Sequence, residues 1–197
     1  TKGVAVFPAD DDYTAIWRKA AGVRARLTFA LSGPADVTAA AHWDANCWRV
    51  LASTPEGTFE FRLHVAGRHN LKNALAATAC ALAAGVPVAC IAAGLTAFEP
   101  VKGRSRASQI NFQNKTINLI DDTYNSNPDS MRAAIDVLAA LPGPRLLVMG
   151  DMGEVGDKGP QFHEEAGLWA KAQGIESLYT LGEQSLIASS SFDRGLH

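Results

Sequence analysis

Phe59, Phe61, Leu63 and Val65 alternate with Glu60, Arg62 and His64, the two-residue period of a strand with one buried face. Shorter apolar runs precede it: "GVAVF", "ARLTFAL", "ADVTAAAHW" and "CWRVLAS" read as strands, with a helix around "DYTAIWRKAAG". The "TPEGT" between the last two strands is a hairpin signal. After Gly67 the period changes. Leu71, Leu75, Thr78 and Leu82 recur at helical spacing and Gly85 terminates them; "PVACIAAGLTAF" forms a second, shorter helix. Pro100 and Gly103 then break the pattern, which places a domain boundary there, with residues 1–104 on one side and 105–197 on the other. Beyond it, strands "KTINLID", "RLLVMG" and "SLYTLG" alternate with helices "PDSMRAAIDVLAAL", "FHEEAGLWAKAQG" and "EQSLIASS". That alternation predicts parallel β-α units, with "TINLID" apolar enough for a central strand and ligands at the strands' C-terminal ends. The fold class is α/β.

Composition narrows the function. Apolar residues make up 47% of the 197, so the chain folds, and its net charge of −2 supplies no field for nucleic acid or an anionic membrane. A small anion needs only a local cation or a helix N-terminus. The three cysteines, Cys47, Cys80 and Cys90, form no CxxC pair and are expected as buried free thiols in a reducing compartment. With no transmembrane run and no signal-peptide pattern, the expected location is cytoplasmic.

The chemistry concentrates in "LIDDTYNSNPDSM", residues 119–131. Asn127 suits a helix cap, Pro128 the first helical position and Asp129 the positive dipole end. Capping does not account for Asp121, Asp122, Tyr124 or Asn125, which follow an apolar strand where parallel sheets bind ligands. In "GRHNLKN", Asn70 and Asn73 share a helix face, and a carboxamide matches the N6/N7 edge of adenine; a cap for Asn70 and packing for His69 are the plainer alternatives. Arg104 in "VKGRSR" offers a fork to phosphate or carboxylate, or is a solvated linker charge. Gly150, Gly153 and Gly156 do not form a dinucleotide fingerprint: the spacing is wrong, and Asp151, Glu154 and Asp157 would repel a pyrophosphate.

Taken together, "GRHNLKNALAATACALAAGV", "PVKGR", "LIDDTYNSNPDSMRAA" and "VMGDMGEVG" with a later histidine resemble the ATP-dependent Mur ligase family, over about residues 3 to 185. The wording is most similar to the member that joins D-alanyl-D-alanine to UDP-N-acetylmuramoyl-tripeptide through an acyl phosphate. The resemblance implies the C-terminal half of a central ATPase domain (1–104), followed by a partial Rossmann-like parallel α/β domain (105–197). It implies ATP and Mg2+ as cofactors. His69, Asn70, Asn73, Arg104 and Asp122 would bind ATP; Tyr124, Asn125, Asn127 and His163 would meet the amino-acid substrate. No catalytic residue and no metal ligand is assigned to these 197 residues. The family's G-x-x-G-K-[ST] loop and metal ligands are expected upstream and its KGS motif downstream, so the chain alone is expected to be inactive and to bind nucleotide weakly. Two alternatives stay open: another Mur ligase or a folylpolyglutamate synthetase-like ligase, and a non-catalytic binding module. Oligomeric state is not legible.

Overall fold

A computed structural model describes residues 3–44, 46–193 and 195–197. Contacts group the chain into two compact units, Thr1–Val101 with Arg106–Ile120, and Lys102–Ser105 with Asp121–His197. The junction segment 102–105 thus groups with the second unit, and the segment 106–120 with the first.

In the first unit, β1 (Ala5–Pro8) and β2 (Arg26–Phe29) pair in parallel around α1 (Thr14–Ala21), with Ala5 opposite Arg26. Three antiparallel strands follow: β3 (Thr38–Asp44), β4 (Cys47–Thr54) and β5 (Gly57–Leu63). The "TPEG" signal is a two-residue connection closed by the Thr54 hydroxyl, which donates to the Gly57 carbonyl at 2.8 Å. Across β3 and β4, Trp43 faces Trp48, ring edge to ring face at 5.3 Å, the offset that aromatic quadrupoles favour. The helix α2 (Arg68–Ala83) buries Leu71, Leu75, Thr78 and Leu82 as their spacing requires, and α3 (Val88–Thr96) adds Ile91. One end of α2 packs with Val50, Phe61 and Leu63 of the antiparallel sheet; the other packs with Phe29 and Val37. Cys47 is buried, whereas Cys80 and Cys90 are exposed, against the expectation of three buried thiols. On α2, Cys80 falls two residues from both Thr78 and Leu82, on the side away from the core.

Two strands depart from the sequence reading. Residues Arg106–Phe112 form a strand, β6, that the polar "RASQ" run concealed, and β7 (Lys115–Asp121) pairs with it. Gln113 and Asn114, both with positive φ, make the two-residue turn between them. The expectation of "TINLID" as a central parallel strand is therefore corrected: β7 belongs to this two-stranded ribbon, and Ile117 and Leu119 are exposed.

The second unit holds α4 (Pro128–Ala139), β8 (Leu146–Gly150), α5 (Gly159–Ala172), β9 (Ser177–Leu181) and α6 (Ser185–Phe192). β8 and β9 pair in parallel, Leu146 opposite Ser177 and Gly150 opposite Leu181. Met149 and Leu178 face a core of Met131, Ile135, Ala166, Ala170, Ala188 and Phe192. Helix α4 starts as its sequence dictates: the Asn127 side chain accepts from the Ser130 amide and the Ser130 hydroxyl accepts from the Asn127 amide, both at 2.9 Å, a reciprocal capping box.

Arg145, just before β8, ties the unit together. Its guanidinium donates to both Glu176 carboxylate oxygens, at 3.0 and 3.1 Å, and to the carbonyls of Ala139 and Gly174, each at 2.8 Å. The guanidinium and the Arg145 amide hold the Glu176 carboxyl down from 4.5 to about 2. A carboxyl whose pKa is depressed by folding contributes stability above its unfolded value and loses it as pH falls toward the folded one. The Glu176 contribution is therefore complete above pH 4.5 and disappears between 4.5 and about 2. Urea midpoints recorded across that interval should fall more steeply for the native chain than for Glu176→Gln, and high salt should narrow the gap because the pair is at the surface. Equal slopes would show that this pair does not couple folding to pH.

Candidate functional site

The first cluster is built on the start of α2. Gly67, buried and with φ of 96°, turns the chain into the helix. Asn70 and Asn73 fall on one face, and their roles divide. The Asn70 amide nitrogen donates to the Ala66 carbonyl at 2.7 Å and lies 3.1 Å from His69 Nε2, while its oxygen accepts from the Asn73 amide at 3.2 Å. Asn70 is thus largely consumed in holding the helix start and its neighbour. The Asn73 carboxamide oxygen is taken by no described residue, and Asn73 and His69 are both exposed.

Between the two asparagines, Lys72 turns the other way and pairs with Asp10 at 2.7 Å. Asp10 follows β1, and its other oxygen accepts from the amide of Leu31, just after β2, at 2.9 Å and from that of Ser32 at 3.4 Å. Burial pushes this carboxyl up, but the Lys72 ammonium and the two amides outweigh it and hold it below the ordinary carboxylate value. Both residues went unread in the sequence. The signal for them was an acid directly after an apolar strand and a lysine inside an asparagine motif.

The second cluster lies within the second unit, where the structure joins two motifs that sequence spacing left apart. The Tyr124 amide donates to the Gly103 carbonyl at 2.9 Å. The Ser105 amide and hydroxyl donate to one Asp122 oxygen at 2.8 and 3.2 Å. Asp121 accepts from the Thr123 hydroxyl at 2.7 Å; that bond first, then contacts including the Gly103 amide and the charge of Lys102, hold its carboxyl low. Segment 102–105 is thereby latched to the loop after β7. Arg104, at the centre of the latch, places its guanidinium carbon 4.1 Å from the centroid of the Tyr124 ring. Asn125 accepts from the Ser126 amide at 2.9 Å, and the Asn127 oxygen serves the α4 cap.

His163 is placed differently from a ligand-facing residue. It is fully buried; Nε2 accepts from the Met152 amide at 3.0 Å and Nδ1–H donates to the Gly159 carbonyl at 2.7 Å. Both ring nitrogens are engaged in holding the loop after β8. Asp151, in the same loop, accepts from the Ser185 amide at 2.7 Å at the start of α6. Among the described residues, no group of three or more histidine, cysteine or carboxylate side chains is arranged to hold a metal ion, and no helix is long and apolar enough to cross a membrane.

Two family models match this chain: the Mur ligase middle domain over residues 1–81, and the Mur ligase, glutamate ligase domain, over residues 105–193. The chain belongs to the Mur ligase family. Its relatives include the Escherichia coli UDP-N-acetylmuramoyl-tripeptide–D-alanyl-D-alanine ligase, 36% identical across 99% of this chain and 43% of that protein. The MurF crystal structure from Acinetobacter baumannii is 36% identical and superposes with a TM-score of 0.82, over 98% of this chain and 42% of that one. The MurF ligase from Thermotoga maritima, solved in complex with ADP, shares the fold with a TM-score of 0.75 at 22% identity, over 95% of this chain and 43% of that one. The chain therefore spans about two fifths of the Mur ligases it matches.

Gly103 makes the latch testable. It is left-handed, with φ of 80°, and an added Cβ would lie 2.8 Å from the Tyr124 amide nitrogen. Gly103→Ala should destabilise the second unit by about 1–3 kcal/mol through strain at positive φ and the main-chain clash. The check is the urea midpoint together with amide exchange at Tyr124 and Ser105. Unchanged exchange at both amides would refute the latch.

Proposed function

We propose that this chain is part of an ATP-dependent amide ligase that adds D-alanyl-D-alanine to UDP-N-acetylmuramoyl-tripeptide, a step in peptidoglycan precursor synthesis. The observation that carries the reading is the 36% identity to the E. coli ligase of that name, sustained over 99% of this chain. The chemistry is activation followed by substitution. A carboxylate has no adequate leaving group, so its oxygen takes the γ-phosphoryl of ATP, releasing ADP. The dipeptide's amine then attacks the acyl carbon, the amide C–N bond forms, the amine proton is lost to a base, and phosphate departs. Positioning and charge neutralisation do most of the catalysis in such transfers.

In this reading Asn73 presents its carboxamide to the adenine edge, and Asn70 and His69 hold it there. Arg104 contacts the ATP phosphates, and Asp122 serves the nucleotide through the Ser105 latch. Tyr124, Asn125 and Asn127 belong to the side that receives the amino-acid substrate. His163 supports that substrate indirectly, by fixing the loop after β8. Mg2+ accompanies the nucleotide, with its protein ligands expected mostly outside these residues. Cytoplasmic location is part of this reading, in keeping with a ligase that consumes ATP.

The test is ADP release by the full-length ligase that contains this chain, supplied with ATP and UDP-N-acetylmuramoyl-tripeptide. Release should depend on D-alanyl-D-alanine, and Asn73→Ala should raise KM for ATP about tenfold, the loss of one well-placed hydrogen bond to the base. Release driven equally by a free amino acid would move the protein to another member of the family.

A further inference from the structure

Two described arginines lie over aromatic rings, Arg132 over Trp169 at 4.2 Å and Arg104 over Tyr124 at 4.1 Å, and Arg104 is the one held within the latch. Arg49, Lys72, Arg145 and Lys171 each pair with a carboxylate. Arg104 forms no ion pair and donates no hydrogen bond to any described residue, although Asp121 and Asp122 lie close by in the same latch. Those two acids are turned elsewhere: Asp121 accepts from Thr123, and Asp122 accepts from the Ser105 amide and hydroxyl. What Arg104 does contact is the Tyr124 ring, 4.1 Å from its guanidinium carbon.

This matters because a guanidinium has two kinds of surface. Its N–H donors lie in the plane, and its faces are weakly hydrated and bind aromatic rings. A carboxylate partner would occupy the donors, whereas a ring leaves them available. The backbone on either side is also fixed: the Gly103 carbonyl holds the Tyr124 amide, and the Ser105 amide is held by Asp122. Ser105 has a φ of 47°, a left-handed conformation for a residue with a side chain, sustained by that bond. Ring and arginine are therefore both anchored to the same latch, and the arginine is ordered without being neutralised.

We propose that Tyr124 is a positioning residue for Arg104: its ring holds the guanidinium, so that the arginine's in-plane donors meet a polyphosphate already oriented. This rests on the reading of Arg104 as a contact for the ATP phosphates, and it assigns Tyr124 a task toward the nucleotide beyond the one toward the amino-acid substrate. Ordering the arginine before the ligand arrives reduces the rotamer entropy lost on binding.

Two measurements on the 197-residue chain test it. In nitrogen–proton spectra, the Arg104 Nε–H resonance should be shielded by the ring and move downfield in Tyr124→Leu but not in Tyr124→Phe. Titration with inorganic tripolyphosphate should move the same resonance, with affinity about threefold weaker in Tyr124→Leu, the effect of losing one exposed cation–π contact, and unchanged in Tyr124→Phe. Arg104→Lys, which removes the reporting Nε–H, assigns the resonance. Because Tyr124 is 63% exposed, neither substitution removes core packing. Equal affinity in Tyr124→Leu and the native chain, a loss in Tyr124→Phe as large as in Tyr124→Leu, or no shift of Arg104 with millimolar tripolyphosphate would each overturn the proposal. Failure of the full-length enzyme to use D-alanyl-D-alanine would instead remove the ligase assignment and leave these results standing.

Discussion

Gly103 is so close to the main chain of Tyr124 that an added Cβ would lie 2.8 Å from the Tyr124 amide nitrogen, and the local architecture around Arg104 follows from that approach. Its left-handed φ turns the chain so that its carbonyl meets the Tyr124 amide. The next residues are then committed. Arg104 emerges above the ring of Tyr124, and Ser105 takes up its own left-handed conformation with its amide aimed at Asp122. A left-handed non-glycine residue costs roughly 1–3 kcal/mol, and an amide donating to an ionised carboxylate is one of the stronger bonds available to offset it. The contact grouping of 102–105 with 121–197 is the larger-scale expression of the same few bonds.

The acids that follow the strands have a common use. Asp10 comes after β1, Asp122 after β7 and Asp151 after β8, and each turns a carboxylate onto backbone amides of another loop: Leu31 and Ser32, Ser105, and Ser185 respectively. Amides donating to a carboxylate favour its ionised form, the direction in which both Asp10 and Asp151 are shifted against the opposing effect of burial. These carboxylates keep their charge, but their oxygens are already engaged. Engaged with backbone donors, they act as organisers of the loops.

Sequence was informative wherever one residue's pattern decides the outcome. The α2 face, the alternation of β5 and the Asn127 cap all follow from local spacing and appear as expected. The order and wording of the motifs carried the family. It was uninformative where the decision rests on a distant partner. β6 buries no apolar face, since Ile110 and Phe112 are both exposed, and its residues are held as a strand by β7 and a turn of two left-handed residues. "TINLID" is apolar enough for a buried strand, yet pairing rather than hydropathy decides which sheet a strand joins. Asn70 and Asn73 look equivalent in one dimension; only the Ala66 carbonyl shows that one is occupied and the other available. The buried pairing of His163 depends on Met152 in another element, which no spacing rule reaches.

The net charge of −2 illustrates the same limit from the side of electrostatics. At physiological ionic strength, charges more than about 8 Å apart are largely screened, so a ligand responds to the nearest groups rather than to the sum. Among those groups, availability counts for more than sign. Arg145 carries the same charge as Arg104, yet its donors go to two carboxylate oxygens and two carbonyls, and binding an anion there would mean dismantling the frame of the second unit. Arg104 is ordered by a ring that makes no claim on its donors. A protein with no overall attraction for anions can hold a cation ready for one, provided the neighbouring acids already have partners, and in this latch Asp121 and Asp122 both do.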